Sequence, residues 1–401
     1  MSESAGRKPV QLGDEFIQDP HALYRRLRPG DSACPVLLPN GFPGWLVSSY
    51  EDARGLLADP RLSTDVGRAT RIFPPDKARG YGMRPMANML TTDPPDHTRL
   101  RHLVNKAFTP QAVERLRPRI EQAADDLLDV IEPDSPVDLL DAYAVPLPII
   151  VMCELLGIPG TAWADFRAWL QAFVTISAPE QLAEAGRHLT AYLSRLLYIK
   201  RAYPAGDLLS ELVQVRDKSG RLSPGEIVSM AFLLLVAGFE TTVNLIANGV
   251  LALLCHLDQL ALLQSRPSLL PDTIEEVLRF DGPAHIATVR FTTEAVRAGE
   301  TEIPADQLVH VSLLAANRDG GRFPDPDRFD ITRHGADHVA FGHGIHHCVG
   351  ASLARLEGQI AIGRLLARFP GTVLDGDPAT LRWRSSTLMH GLTSLPVRLS
   401  S

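Results

Sequence analysis

A single long helix is the feature of this sequence that most constrains its fold. Its start is signalled by Ser223-Pro224-Gly225-Glu226, in which Ser223 can cap the helix, Pro224 suits the first helical position and Glu226 completes a capping box. The apolar pattern then continues to about Leu254. Roughly thirty residues at about 1.5 Å each span roughly 45 Å. The sequence therefore predicts one helix that crosses the whole domain.

The remainder of the chain is mostly helical by its hydrophobic pattern. Apolar residues recur at three-to-four spacing in residues 20–28, 50–58, 96–108, 110–131, 147–156 and 161–176. Short strand-like runs lie at residues 44–48, 287–291, 309–313, around Leu381 and at 395–399. The pattern predicts a mainly α protein with a minor β portion.

Composition and charge argue against several classes of protein. No linker, low-complexity tract or repeat divides the 401 residues, so we expect a single domain over residues 1–401. The net charge of −7 argues against general nucleic-acid binding, and four scattered cysteines give neither a disulfide framework nor a zinc spacing. Residues 1–14 contain no signal-peptide core, and no run approaches the roughly 18 apolar residues of a membrane span. A soluble, cytoplasmic protein is expected.

Cys348 lies in a glycine-rich loop directly before an apolar helical stretch, residues 351–366. A thiolate there would meet the first free N–H groups of that helix, an interaction worth about 0.3–1 kcal/mol. Lowering the pKa of a thiol from about 8.5 to below neutrality needs more, such as a bound metal. The position therefore predicts an iron–thiolate bond. The other three cysteines are expected to be small buried hydrophobes: Cys34, Cys153 and Cys255.

The neighbours of Cys348 suit a flat ligand. Gly342 and Gly344 allow backbone angles that side chains forbid. Phe341 can pack its aromatic ring near the sulfur, and Gly350 allows the backbone to approach a ligand closely. The whole loop is therefore a candidate binding site for a planar cofactor.

The centre of the long helix carries the run Ala237-Gly238-Phe239-Glu240-Thr241-Thr242. A glycine inside a helix costs roughly 0.5–1 kcal/mol relative to alanine, so Gly238 suggests a ligand that needs the backbone close by, at a bulge or kink. The Thr241 hydroxyl, beside a buried carboxyl at Glu240, could relay protons. Alternatively, this hydroxyl bonds a carbonyl one turn earlier, as is common for threonine in helices.

A basic helix is predicted after Asp93 and Asp96, either of which can cap it. His97 and Arg101 are four residues apart and share a face with apolar neighbours, which favours an inward position. Three further basic residues fall on the opposite side: Arg99, His102 and Lys106.

The Cys loop resembles the haem-binding loop of the cytochrome P450 family. The matching positions are Phe341, Gly342, Gly344, His346, Cys348 and Gly350. The resemblance covers nearly all of the chain and implies the cytochrome P450 fold, a single large domain with a long central helix and a Cys-loop haem site. It implies haem b, iron protoporphyrin IX with Cys348 as axial thiolate and metal ligand. Residues 1–401 would then form a single haem-thiolate monooxygenase domain of the bacterial type.

The same resemblance assigns roles to residues in the matching motifs. The segment around Thr241 is similar to the oxygen-activating segment of the family, so Thr241 and Glu240 would be catalytic together with Cys348 and would help deliver protons. The haem propionates would be held by His97, Arg101, Arg290 and His346. The haem would also contact Phe341, Gly342, Gly350, Ala237 and Gly238.

Glu276 and Arg279, three residues apart in an apolar helical segment, look like the structural Glu-x-x-Arg pair of the family. By resemblance their partner is Arg333, in residues 323–333, which resemble the family's loop before the Cys segment. None of the three is expected to touch substrate.

The implied reaction inserts one oxygen atom from O2 into a C–H or C=C bond of a sizeable, mostly apolar organic molecule. A thiolate ligand donates electron density to iron and favours this chemistry. The chain shows no flavin, nicotinamide or iron–sulfur fingerprint, so electrons would come from a separate ferredoxin and ferredoxin reductase. The ferredoxin would dock near the Cys loop, on Arg99, His102 and Lys106. A monomer is expected.

The resemblance places substrate contacts within residues 83–90, 173–176, 234–237, 285–289 and 387–389. The candidates are Met89, Phe173, Val236, Ala237, His285, Thr288, Val289 and Leu388. Residues 240–249 are similar to those of actinobacterial enzymes that hydroxylate macrolides and other polyketides, although Phe239 stands where those relatives often carry His. A macrolide or polyketide is the expected substrate, and a steroid or vitamin-D-like molecule is the alternative.

Two other classes of protein fit the sequence less well. Cys348 could be a nucleophile with His346 or His347 as base, but adjacent residues rarely align for such a transfer. A haem-thiolate protein that only binds or senses gas would need no proton relay, so Glu240 and Thr241 would be incidental. The effect of Thr241→Ala on product yield separates a sensor from an oxygenase.

Overall fold

The structure, a computed structural model, describes residues 8–27, 32–39, 41–68, 72, 88–105, 108–174, 179–214, 216–217, 220–333 and 337–400. It describes no side chains at residues 173, 174, 179, 216, 217, 220 and 221. Several expected site residues therefore lie outside the described part of the chain. They are Lys106, residues 83–87 and 175–176 of the expected substrate segments, and the side chain of Phe173.

Helices form most of the protein. In chain order they are α1 (Asp14–Gln18), α2 (Pro20–Arg26), α3 (Tyr50–Ala58), α4 (Asp96–Asn105), α5 (Pro110–Glu114), α6 (Arg117–Asp129), α7 (Pro146–Leu155), α8 (Trp163–Val174), α9 (Pro179–Ala202), α10 (Leu208–Gln214), α11 (Pro224–Cys255), α12 (Leu257–Ser265), α13 (Leu270–Asp281), α14 (Leu313–Asn317) and α15 (Ala351–Arg368).

The strands are short and cluster in a few places. They are β1 (Val10–Gln11), β2 (Ala33–Leu37), β3 (Pro43–Val47), β4 (Leu62–Ser63), β5 (Pro136–Asp138), β6 (Arg216–Asp217), β7 (Gly220–Arg221), β8 (Arg290–Thr292), β9 (Val296–Ala298), β10 (Thr301–Ile303), β11 (Leu308–Val311), β12 (Val373–Leu374) and β13 (Pro396–Arg398).

The central helix α11 forms as its capping signals predict. The Glu226 N–H donates to the Ser223 hydroxyl oxygen at 3.2 Å, and the Ser223 N–H donates to the Glu226 carboxylate at 2.7 Å. The helix continues for 32 residues to Cys255, one residue beyond the predicted end. It packs against α7, α9, α13 and α15 in the main hydrophobic core. By length and hydropathy it could cross a membrane, but 61% of its most apolar stretch is buried inside the protein, as in a core helix.

The largest sheet has six strands in the order β1-β2-β3-β11-β8-β4. Strands β2 and β3 are antiparallel, whereas β3 and β11 are parallel, with His310 opposite Leu46. Strand β8 lies between β11 and β4, and this pairing fixes the position of Arg290, its first residue. A smaller sheet has the order β12-β13-β5.

The mainly α architecture with a minor β portion is confirmed, but some boundaries differ from the prediction. Residues 110–131 form two helices, because Pro118, which lacks an N–H, stands in the first turn of a second helix. The expected strand 309–313 ends at Val311, where Ser312 caps the short helix α14. The hydrophobic pattern does not predict β2, since Pro35 at its centre argues against a strand.

Candidate active site

Backbone hydrogen bonds close the Cys loop. The Cys348 N–H donates to the Phe341 carbonyl at 2.9 Å. Gly342 and Gly344 have φ angles of +71° and +73°, in the left-handed region that favours glycine. A Cβ at Gly344 would lie 2.7 Å from the Leu57 carbonyl oxygen, so a larger residue would displace the loop from α3. The two glycines therefore stand where the sequence predicts a need for them.

The Cys348 sulfur lies directly before α15, whose N-cap is Gly350. Burial raises the pKa of this thiol, while a hydrogen bond from the Gly350 N–H and the charges of Arg101 and Arg355 lower it. Cys348 has exposed surface although surrounding protein atoms desolvate its thiol. The surrounding protein groups alone favour the neutral thiol. A bound metal cation would hold the thiolate, which fits the chemistry expected of this position.

A charged group supports the loop from the side of Phe341. The Arg355 guanidinium carbon lies 4.5 Å from the centre of the Phe341 ring. Arg355 donates to both carboxylate oxygens of Glu275, at 2.6 and 2.8 Å, and His338 Nε2 lies 3.2 Å from the same carboxylate. Although burial raises the pKa of Glu275, these hydrogen bonds lower it to about 2. The sequence analysis missed Glu275 and Arg355, whose signal was a charge within each of two apolar helical stretches.

Four basic residues converge beside the Cys loop, and we name His97, Arg101, Arg290 and His346 the basic cluster. The rings of His97 and His346 lie 4.3 Å apart. Arg101 donates to the His347 carbonyl and, at 2.9 Å, to Asn105 Oδ1. Arg290 Nη1 donates to the Thr288 carbonyl at 2.8 Å. The structure thus brings together residues that are far apart in the sequence.

The basic cluster has an excess of positive charge. Burial and the nearby Arg101 lower the pKa of His97, and burial and Arg290 lower the pKa of His346 to about 3. Burial also lowers the pKa of Arg290 to about 10. The acid that acts on the cluster, Asp93, directs its carboxylate to the Thr64 N–H at 2.8 Å and to the Ser63 hydroxyl.

This arrangement fits the haem propionates. Both ring nitrogens of His97 are buried and have no hydrogen-bond partner among the described residues. Buried polar groups are normally hydrogen-bonded, so the unpaired nitrogens indicate a ligand with acceptor atoms. Two carboxylates placed here would neutralise Arg101 and Arg290 and accept from His97. The residues present therefore match the group that the sequence implies.

The central helix presents accessible residues halfway along its length. Ala237 is exposed, and Val236, Gly238 and Thr241 are half-buried, whereas most residues of the helix are buried. The Thr241 hydroxyl donates to the Ala237 carbonyl at 2.7 Å, so the back-bonding considered as an alternative is present. We infer that a ligand could lie against this stretch.

The structure gives a second reason for Gly238. A Cβ at this position would lie 2.9 Å from the Met152 sulfur, so the glycine allows close packing of α7 against α11. The helix is continuous through Gly238. A side chain at residue 238 would displace the Met152 thioether, so packing against the neighbouring helix favours glycine here whether or not a ligand approaches its backbone.

Glu240 has a partner, Arg384, that is distant in the sequence. Arg384 Nη1 lies 3.5 Å from Glu240 Oε1, and Arg384 Nη2 donates to Asn244 Oδ1. Burial raises the pKa of Glu240, and the charge of Arg384 lowers it. Asn244 follows Glu240 by one helical turn, so a polar residue at this spacing in an apolar helix was the available signal.

Two candidate substrate residues have other partners. His285 is 1% exposed, and its Nε2 lies 2.6 Å from Tyr24 Oη. The Thr288 hydroxyl accepts from Arg290 Nη1 at 2.7 Å. His285 therefore belongs to a buried polar cluster, which argues against its expected contact with substrate. Thr288 positions Arg290 and is half-buried, so its contact with substrate stays a prediction.

The other candidate substrate residues with described side chains are apolar. Met89 is buried, Val236 and Val289 are half-buried, and Ala237 and Leu388 are exposed. The His285 N–H donates to the Leu388 carbonyl at 2.9 Å, so the structure joins two of the expected substrate segments, 285–289 and 387–389.

The expected pair Glu276 and Arg279 is present and fully buried. Arg279 donates to both carboxylate oxygens, at 2.7 and 2.8 Å, and Arg333 Nε lies 3.4 Å from the same carboxylate. The remaining donors of Arg279 bind backbone carbonyls of Asn317, Pro326 and Arg328. This network ties α13 to the segment before the Cys loop.

Comparison with known proteins covers nearly the whole chain. A family model described as Cytochrome P450 matches residues 199–394. The chain is 53% identical over 394 residues to Cytochrome P450 107B1 of Saccharopolyspora erythraea, with 97% of each chain covered. It is 48% identical over 385 residues to Vitamin D(3) 25-hydroxylase of Pseudonocardia autotrophica, with 96% of this chain and 94% of the relative covered.

The fold is similar to that of the tirandamycin C-bound P450 monooxygenase TamI. The TM-score is 0.91 at 49% identity, and the match covers 98% of this chain and 100% of TamI. Membership implies haem b with an axial cysteine thiolate and monooxygenase activity. With identity of this extent and a cysteine loop of matching pattern, the chain belongs to the cytochrome P450 family.

Proposed function

We propose that this monooxygenase inserts one oxygen atom from O2 into a macrolide or other polyketide, by hydroxylation or epoxidation. The haem-dependent part of this proposal rests on one observation: the Cys348 sulfur lies beside the basic cluster, where the charge of Arg101 acts on it. We also infer a soluble, cytoplasmic monomer in which residues 1–401 form one haem-thiolate domain.

Cys348 would be the axial ligand, and the basic cluster would hold the propionates. When bound, the haem supplies the activation of O2 and the cleavage of the O–O bond. The Gly350 N–H and the guanidinium groups of Arg101 and Arg355 stabilise negative charge on the sulfur. The Arg355 guanidinium group also lies against the Phe341 ring, which fixes its position beside the loop.

Thr241 and Glu240 would deliver protons. The Thr241 hydroxyl donates its hydrogen to the Ala237 carbonyl, so its lone pairs remain free to accept. To donate a proton during the reaction, the hydroxyl must rotate away from the Ala237 carbonyl. Burial and Arg384 act in opposite directions on the pKa of Glu240, which suits a carboxyl that both takes up and releases a proton.

A mostly apolar substrate is supported by the accessible side chains near the site, Val236, Ala237, Val289 and Leu388. The macrolide or polyketide class is supported by the similarity of residues 240–249 to enzymes of that type and by the likeness to TamI. A steroid or vitamin-D-like substrate is the second candidate, favoured by the 48% identity to Vitamin D(3) 25-hydroxylase.

We propose a ferredoxin and a ferredoxin reductase as the electron donors. The docking surface needs revision, because Arg99 pairs with Glu226 and lies 3.8 Å from Asp96. Its charge is therefore largely compensated, and Lys106 lies outside the described residues. His102 is exposed and remains in the proposed surface.

The test combines binding and turnover. Purified holoprotein is screened by the spectral shift of the ferric haem against polyketides, steroids and vitamin-D-like molecules. Molecules that bind are then incubated with ferredoxin, reductase and labelled O2. One labelled oxygen atom in a polyketide product supports the proposal. Turnover of steroids alone would favour the second candidate. The role of Cys348 would be contradicted if the complex of the reduced protein with carbon monoxide lacked the absorption typical of thiolate ligation.

A further inference from the structure

A row of polar residues runs along one side of the apolar helix α11. Glu240, Asn244 and Asn248 follow each other at intervals of four, so they lie on one face. Asn244 and Asn248 are at most 1% exposed. Buried polar side chains need partners. Here each of the three residues has a partner in one segment, residues 383–392, which we name the C-terminal hairpin.

The C-terminal hairpin is attached to this row at two points. Arg384 binds Asn244 Oδ1 and lies 3.5 Å from Glu240 Oε1. One turn further on, Asn248 Nδ2 donates to the His390 carbonyl at 3.0 Å. The same amide nitrogen lies 3.0 Å from the Asp281 carbonyl, which ties the hairpin to α13 as well.

The backbone of the C-terminal hairpin is shaped to admit Arg384. The Arg384 N–H donates to the Gly391 carbonyl at 2.8 Å, and Trp383 pairs with Leu392. A Cβ at Gly391 would collide with both the Asn244 amide oxygen and the Arg384 guanidinium group. Residue 391 must therefore be glycine for the contact between Arg384 and Asn244 to form.

Arg384 is itself deeply placed, with 7% of its side chain exposed. Desolvating a guanidinium group is costly unless a charge compensates it. The compensating carboxylate is Glu240, because it is the acid that acts on Arg384 electrostatically. The two charges therefore depend on each other.

We infer that Arg384 is a positioning residue for proton delivery, which fixes the Glu240 carboxylate and holds it in the ionised form. The inference rests on the proposed role of Glu240 in the monooxygenase reaction. Without Arg384, burial alone would act on Glu240, and the neutral carboxyl would persist to higher pH. A neutral Glu240 can give up its proton once, but it cannot accept another until it has ionised.

The test measures the ionisation of Glu240 directly in the holoprotein. The carbonyl stretch of the protonated carboxyl is followed by infrared difference spectroscopy during a pH titration, and its loss in Glu240→Gln assigns the band. In Arg384→Gln the midpoint should rise by about 1–3 pH units, the usual effect of an opposite charge at this range. Arg384→Lys keeps the charge and should restore a midpoint close to that of the parent protein.

A matched control is Arg382→Gln, at an exposed arginine directly before the C-terminal hairpin, with the same change in charge. It should leave the midpoint unchanged. The fraction of electrons recovered in product is measured in parallel, and it should fall in Arg384→Gln and recover in Arg384→Lys. A purely structural role would lower the thermal midpoint of unfolding without moving the Glu240 titration.

The inference is overturned if Arg384→Gln titrates like the parent protein while Glu240→Gln lowers the product fraction. If Arg384→Gln does not fold, Asn244→Ala removes the second anchor of the guanidinium group and should raise the midpoint in the same direction; no change there also overturns it. A Glu240→Gln protein that forms product at the parent fraction would instead remove the proposed role of Glu240, and the inference with it.

Discussion

The rings of His97 and His346 lie 4.3 Å apart in the field of Arg101 and Arg290, and neither nitrogen of His97 has a hydrogen-bond partner among the described residues. Two imidazoles held neutral next to two cations form a site for anions. His97 belongs to the same helix as Arg101, and His346 to the Cys loop. Propionate binding would therefore connect α4 to the loop that carries the proposed iron ligand.

Replacing His97 should weaken haem retention. A hydrogen bond to a charged group contributes about 1.5–3 kcal/mol, so His97→Phe should release haem about ten to a hundred times faster. The rate is measured by transfer to an excess of an apoprotein haem acceptor. His102→Phe, on the exposed side of the same helix, is the control and should leave the rate unchanged. Equal release from both variants would argue against propionate binding by His97.

Thr241→Ala should divert electrons from product to peroxide. The variant lacks the hydroxyl now bonded to the Ala237 carbonyl, and a positioned proton donor contributes about 10²–10⁴-fold to a rate. Product and hydrogen peroxide are measured per reducing equivalent consumed. Thr241→Ser keeps a hydroxyl and should retain most of the coupling. Unchanged coupling in the alanine variant would favour a haem-binding protein without this relay.

Cys348→Ser should abolish the absorption typical of thiolate ligation in the complex of the reduced protein with carbon monoxide. Serine keeps the size of the side chain, but its hydroxyl remains protonated at neutral pH and is a poor substitute for thiolate. Cys255→Ser is the control: this cysteine lies outside the loop and is exposed, contrary to the expected burial, and its replacement should leave the spectrum unchanged. Retention of the thiolate spectrum in Cys348→Ser would place the iron ligand elsewhere.

Glu276→Ala should destabilise the protein strongly. Arg279 is fully buried, and removing its partner leaves an uncompensated charge, which costs about 3–5 kcal/mol. The expected result is a large fall in the thermal midpoint, or loss of soluble protein, measured by circular dichroism. Glu302→Ala, at an exposed strand residue, is the control. A midpoint equal to that of the control would contradict the structural role of the Glu276 network.

His310 should make the fold sensitive to mild acid. Burial lowers its pKa from 6.5 to about 4. Between these values the unfolded chain takes up a proton that the folded protein does not, so stability is fully present above pH 6.5 and is lost as the pH falls towards 4. The loss is about 3 kcal/mol. His310→Asn should lose less stability than the parent protein between pH 7 and 4.5, as measured by urea unfolding; parallel losses would contradict the assignment.

The sequence predicted those features that depend only on neighbouring residues, such as helix caps, loop glycines and the inward face of a helix. Ser223 and Glu226 fixed the start of α11, and the positive φ angles at Gly342 and Gly344 match the predicted need for glycine. Residues 97 and 101 shared a predicted inward face, and the structure places both beside the Cys loop. Each of these predictions rests on residues within a few positions of each other.

Contacts between distant residues could not be predicted in this way. The six-stranded sheet combines strands from β1 at Val10 to β11 at Val311, and nothing in a short segment specifies such pairing. Arg384 follows the strand-like run around Leu381 and is 144 residues from Glu240, so no local pattern indicated their contact. Met152, whose side chain packs against Gly238, belongs to a different helix, so the residues around Gly238 gave no sign of this contact either.

The pairing of Pro396–Arg398 with Pro136–Asp138 imposes an order of events during synthesis. The ribosome releases residues 136–138 long before it adds residues 396–398, so the small sheet closes late. Residues 383–392, which bind α11, also emerge after most of the core has been made. The contacts of these residues with Asn244 and Asn248 therefore form only after translation has passed residue 390.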